Sequence, residues 1–138
     1  MVTRTMRSDH APVTMRVPFA ASSVSVARQQ LKLWMSENGG SSDTIDDARV
    51  IISELVGNSI RHAQPLPDGN ILITWTPEES GLQLSVTDGG SPTRPRKVNA
   101  PASALAGRGM AIVETLAISW WAEQTRSKST VHAVLPMD

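Results

Sequence analysis

The chain has 138 residues, 40% of them hydrophobic, with 13 lysines and arginines balanced by 13 aspartates and glutamates, and no cysteine. This length suits one domain with one core. The balanced charge gives no support for a nucleic-acid partner, and the missing cysteines exclude disulfides and thiolate metal sites. The N-terminus lacks the apolar core of a signal peptide, and no apolar run is long enough to span a bilayer, so a cytoplasmic domain without membrane contact is expected.

Residues 1–12 are polar and mixed, and read as a flexible tail before a single domain at 13–138. Val13 to Phe19 alternates as an edge strand does, with Pro18 favouring an edge or an end. A helix follows, with Ser22 or Ser23 as its cap and Val24, Ala27, Leu31, Trp34 and Met35 at helical spacing, and Gly39 and Gly40 stop it. Ser42, Asp43 or Thr44 caps the next helix, which carries acidic residues in its first turn. Its apolar stripe is Ala48, Ile52, Leu55, Val56, Ser59 and Ala63. The stretch "QPLPDGN" breaks the pattern, and "ILITWTP" and "LQLSVTD" form a hairpin across "EESG". From Gly89 to Ala106 there is almost no periodicity, and a loop of that length within a domain is usually functional or disordered. A helix restarts at Gly107, and two strands flank a polar turn near Arg126 to Ser129. The order β–α–α–β–β–loop–α–β–β predicts an α+β sandwich, with helices on a mixed, mostly antiparallel sheet.

The second helix has a polar face. At about 100° per residue, Glu54, Asn58 and Arg61 fall within roughly 60° of one another, away from the apolar stripe. An exposed charged surface is the ordinary explanation. Gly57 sits awkwardly with it, because a glycine inside a helix costs about 1 kcal/mol relative to alanine and is tolerated where something must approach the backbone closely or where helices pack tightly. His10, His62 and His132 show no metal-ligand spacing, and there is no Walker-type phosphate loop.

Asp88 ends a strand before Gly89 and Gly90. Alone this is a common turn, yet a strand-end carboxylate is also well placed to accept from an amino group such as that of adenine. Gly107-Arg108-Gly109 stands at a helix start, where free N–H groups and the dipole favour an anion and glycines let phosphate come near.

Taken in order, "ELVGNSIRHA", "VTDGGSP", "GRGMAIVETLA" and "STVHAVLP" resemble the four boxes of the GHKL ATP-binding fold of gyrase and histidine kinases. The likeness runs from about Pro18 to Pro136. It is strongest to the stand-alone anti-sigma factor serine/threonine kinases and related small actinobacterial regulators. The resemblance implies a two-layer α/β sandwich covered by helices on one sheet face, with ATP and Mg²⁺ as cofactors. It implies that Asn58 holds the Mg²⁺ and that Glu54 is the general base. It implies that Asp88 and Gly90 receive adenine, with Thr130 supporting them from a strand. Gly107, Arg108, Gly109 and Met110 fall in the second glycine box, at the phosphates, and Arg61 and His62 lie near the nucleotide. Residues 91–106 correspond to the ATP lid.

Two departures stand out: Ser91-Pro92 where many family kinases carry a further glycine, and Ser129 where a glycine usually precedes the strand threonine. The resemblance implies an anti-sigma factor that sequesters a sigma factor and phosphorylates a STAS-domain antagonist, acting as a homodimer. The alternative is a regulator that binds ATP or ADP and switches partners without catalysis. A third reading, the ATPase domain of a histidine kinase, fits less well, since no helix with a phospho-acceptor histidine precedes the boxes and the lid is short.

Overall fold

The computed structural model describes residues 12–90 and 108–137. The order of elements is the one the sequence pattern predicts. Strand β1 (Val13–Pro18) leads into helices α1 (Ser22–Glu37) and α2 (Ser42–His62). Strands β2 (Asn70–Glu78) and β3 (Gly81–Asp88) follow, then α3 (Arg108–Leu116), β4 (Ser119–Gln124) and β5 (Ser129–Leu135). The five strands form one sheet in the order β1-β2-β3-β5-β4. All four ladders are antiparallel, whereas the expectation is a mixed, mostly antiparallel sheet. The reason is topological: the chain returns through β4 at the far edge, so β5 enters beside β3 running against both neighbours.

Helix α1 buries Ala27, Leu31 and Met35, spaced at four residues, and all three are fully buried. Its predicted serine cap is absent. The residue before the helix is Ala21, without a side-chain cap bond, and the buried Ser23 donates instead to the carbonyl of Pro18 at 2.6 Å. This bond ties the helix start to the end of β1. At its other end Gly39 adopts a φ of 89°, and the N–H of Gly40 bonds the carbonyl of Met35 at 2.8 Å, closing the last turn. The cap of α2 is Ser41, one residue before the predicted candidates, and its hydroxyl accepts from the N–H of Thr44 at 3.2 Å.

The core lies between the helices and one face of the sheet. Ala48, Ile52, Leu55, Val56 and Ser59 of the predicted stripe are buried, and Ile45 and Ile51 widen it. Against them stand Val17, Ile71, Ile73, Trp75, Leu82, Leu84, Val86, Ala133 and Leu135 from the sheet. Each large aliphatic side chain buried here contributes about 1.5–3 kcal/mol. Trp34 meets the fully buried Trp75 edge-on, with centroids 6.4 Å apart. The opposite sheet face is polar. There Ser85 Oγ lies 2.7 Å from His132 Nδ1, His132 Nε2 lies 3.0 Å from Glu123, and Trp121 stacks on the imidazole. Among the described residues no helix is long and apolar enough to cross a membrane.

Candidate functional site

Helix α2 is anchored by its apolar stripe, and this fixes which residues it turns outward. Glu54 and Asn58 are half-buried along its polar side, and Arg61 and His62 are exposed in its last turn. Cations there are favoured by the helix dipole. Asn58 is the unusual member, because its Oδ1 is buried and has no hydrogen-bond partner among the described residues. Leaving a buried acceptor unpaired costs about 1–3 kcal/mol, so a folded chain seldom keeps one without use for it. An amide oxygen in that state fits a hard divalent cation, which takes oxygen ligands. No group of three His, Asp or Glu among the described residues forms a metal cage by itself. A cation at Asn58 would therefore be shared with oxygens of a bound ligand.

Asp88, the last residue of β3, stands at the inner side of the same helix. It is 5% exposed. Its Oδ2 accepts from the hydroxyl of Ser59 at 2.5 Å, and its Oδ1 accepts from the N–H of Gly90 at 2.8 Å. Burial pushes the carboxyl above the usual carboxylate range, and these two hydrogen bonds pull it partly back. Each oxygen has two acceptor sites and uses one, so the carboxylate keeps capacity for a donor from a ligand.

The turn that presents Asp88 is made possible by its glycines. Gly90 has a φ of 85°, a left-handed conformation that favours glycine. Gly89 is held against the segment after α2: its N–H donates to the carbonyl of Gln64 at 2.8 Å, and the N–H of Gln64 donates to Gly90 at 3.0 Å. A Cβ on Gly89 would collide with the Pro65 carbonyl oxygen at 2.1 Å. The Asp-Gly-Gly turn and the end of α2 thus form one hydrogen-bonded unit.

The structure places the other predicted residues unequally. Glu54, Asn58, Arg61, Asp88 and Gly90 gather on α2 and at its C-terminal end. Thr130 does not join them. It pairs with Thr87, and their hydroxyls lie 2.9 Å apart on the polar sheet face, opposite to the one that Asp88 occupies. The residue across from Asp88 in register is Ser129. Met110 is 1% exposed and belongs to the core. Arg108 and Gly109 open α3, while Gly107 and the predicted lid at 91–106 lie outside the described residues. Two residues beside Asp88, Ser59 and Ser129, are not singled out by the sequence pattern. Ser59 was counted as part of the apolar stripe, although a hydroxyl among isoleucines and leucines needs a partner. Ser129 was read only as a substituted glycine.

A family model described as the histidine kinase-like ATPase domain matches residues 17–134. The chain is 28% identical over 123 residues to the serine-protein kinase RsbW of Listeria monocytogenes, covering 80% of this chain and 78% of that one. It is 33% identical over 87 residues to the protein of the same name in Staphylococcus aureus, covering 62% of this chain and 55% of that one. Among solved structures, the RsbU and RsbW domains of Rv1364c from Mycobacterium tuberculosis superpose with a TM-score of 0.72 at 20% identity. That match covers 93% of this chain but spans only 33% of the longer mycobacterial one, and at this identity it carries the fold alone. The two-layer sandwich accords with these likenesses, and the chain belongs to the histidine kinase-like ATPase domain family.

Proposed function

We propose that the protein binds ATP between the polar face of α2 and the Asp88 turn, and transfers its γ-phosphoryl group to a serine or threonine of a partner protein. The observation that carries this reading is the sharing of one helix by Glu54, by Asn58 with its unpartnered buried oxygen, and by Ser59 bonded to Asp88. Adenine would sit at the C-terminal end of α2, its amino group donating to Asp88 and its ring lying on the Gly90 backbone. Ser129 is the side chain in register to support the base. The phosphates then run back along α2 towards Glu54. Asn58 Oδ1 would hold Mg²⁺, which would supply neutralisation of phosphate charge.

The chemistry asked of the chain is modest, because phosphoryl transfer depends mostly on positioning and charge. Glu54 takes the proton of the acceptor hydroxyl as its oxygen bonds to the γ-phosphorus, and the bond to the bridging oxygen breaks to release ADP. Arg108 and the N–H groups at the start of α3 are assigned to the developing phosphate charge. The relatives named serine-protein kinase support a protein substrate. The partners in this reading are a sigma factor held inactive, a STAS-domain antagonist as phosphoacceptor, and a second copy of the chain, all in the cytoplasm.

The test is to incubate the protein with γ-labelled ATP, Mg²⁺ and STAS-domain proteins. Label on a serine or threonine of one of them is expected. Tight ATP binding with no transfer to any would instead leave the protein a partner-switching regulator without catalysis.

A further inference from the structure

Gly57 lies inside α2, where alanine would hold the helix better. Close helix packing does not explain it. A Cβ added there meets, among the described residues, nothing within 4 Å except the Arg61 guanidinium, with Nη1 at 3.1 Å and Cζ at 3.9 Å. Residues 57 and 61 are neighbours on one helix face, so the arginine has folded back along α2 and laid its head over the bare backbone of the glycine. Helical side chains lean towards the N-terminus, over the residue four positions earlier, and a side chain at that position would ordinarily share the space. Here the missing side chain opens a seat for it.

The consequence is a displaced charge. Four residues of helix span about 6 Å, so folding back carries the cation about that far from the Asp88 end of the site towards Asn58 and Glu54. In the orientation proposed above, this is the step from the base towards the phosphates. We infer that Gly57 is a positioning residue, whose missing side chain seats the Arg61 guanidinium beside Asn58 as a fixed cation for the nucleotide's β- and γ-phosphates. The inference rests on the nucleotide reading. It makes Arg61 a phosphate sensor rather than a general surface charge.

The two residues therefore act as one unit, and unit behaviour is measurable. The experiment titrates ATP, ADP and AMP, each with Mg²⁺, into the unmodified protein, Gly57→Ala, Arg61→Gln and the double variant, with melting temperatures recorded in parallel. Arg61→Gln is expected to weaken ATP about tenfold, as loss of one charge-assisted contact does, and to leave AMP unchanged. Gly57→Ala is expected to weaken ATP in the same phosphate-dependent way while melting about 3 °C higher, because the helix gains alanine. The double variant should bind ATP no worse than Arg61→Gln alone. The inference is overturned if Gly57→Ala keeps full ATP affinity, if it weakens AMP as much as ATP, or if its loss adds to that of Arg61→Gln. These results would leave the nucleotide reading standing. Failure of the unmodified protein to bind any of the three nucleotides overturns both.

Discussion

Glu54→Ala is expected to lower phosphoryl transfer by about 10²–10⁴-fold, the ordinary contribution of a general base, while ATP affinity is kept. The two quantities separate for a physical reason. Glu54 stands one helical turn from Asn58, the residue proposed for the metal, and in the proposed complex its charge would face a polyphosphate. Removing it takes away repulsion in the bound state, so affinity holds or tightens. Its side chain is half-buried and outside the apolar stripe, so the fold should tolerate the change. Single-turnover transfer to the STAS partner and a parallel ATP titration measure the two effects. Transfer at the unmodified rate would assign the base elsewhere.

Asp88→Asn should have its largest effect on binding. The carboxylate offers acceptors only, and an amide turns one of them into a donor facing the adenine amino group or the protein's own donors. Gly90 can give its N–H only to an oxygen, so the amide nitrogen is left beside Ser59, whose hydroxyl can rotate to accept. Loss of a charged hydrogen bond, with donor set against donor, weakens ATP about 10–100-fold.

Stability should move the other way. Burial raises the folded-state value of the Asp88 carboxyl above its unfolded one. The protonated form therefore favours the fold, and the ionised form opposes it once pH exceeds the raised value. The neutral asparagine is free of that penalty. Its melting temperature relative to the unmodified protein should be highest near neutral pH. The difference should shrink as pH falls through the raised value, and level off below the usual carboxylate range, near about 4. A difference that grows on acidification would contradict the burial argument.

The order of elements was legible because each periodic stretch has a clear punctuating residue: Gly39 after α1, the two prolines of "QPLPDGN" after α2, and Gly81 in the hairpin. Gly81 has a φ of 149°, and a Cβ there would meet the Leu135 carbonyl oxygen at 2.2 Å. Caps were legible only to within a residue, since Ser41, Ser42, Asp43 and Thr44 are all competent and the choice depends on where the chain enters. The polar face of α2 followed from angular spacing.

What was hidden is long-range. The bond from Ser59 to Asp88 joins residues 29 apart in sequence, and a small residue in an apolar stripe looks the same with or without a partner. The faces of Ser129 and Thr130 depend on strand register, and a shift of one residue exchanges them. Ladder pairing of Asp88 with Ser129 decides that question, and no local pattern contains it. Gly57 was legible as an anomaly, but only the folded-back Arg61 supplies its reason.

Asp88 and the end of α2 are expected to select an adenine nucleotide. Titration calorimetry of the unmodified protein with ATP and with GTP, each with Mg²⁺, tests it most directly. In the proposed site adenine would present an amino group to the Asp88 carboxylate, whereas guanine would present a carbonyl oxygen at the same position and be repelled. Saturable ATP binding is expected, with GTP binding weaker by at least about tenfold. No ATP binding, or equal affinity for the two, would contradict it.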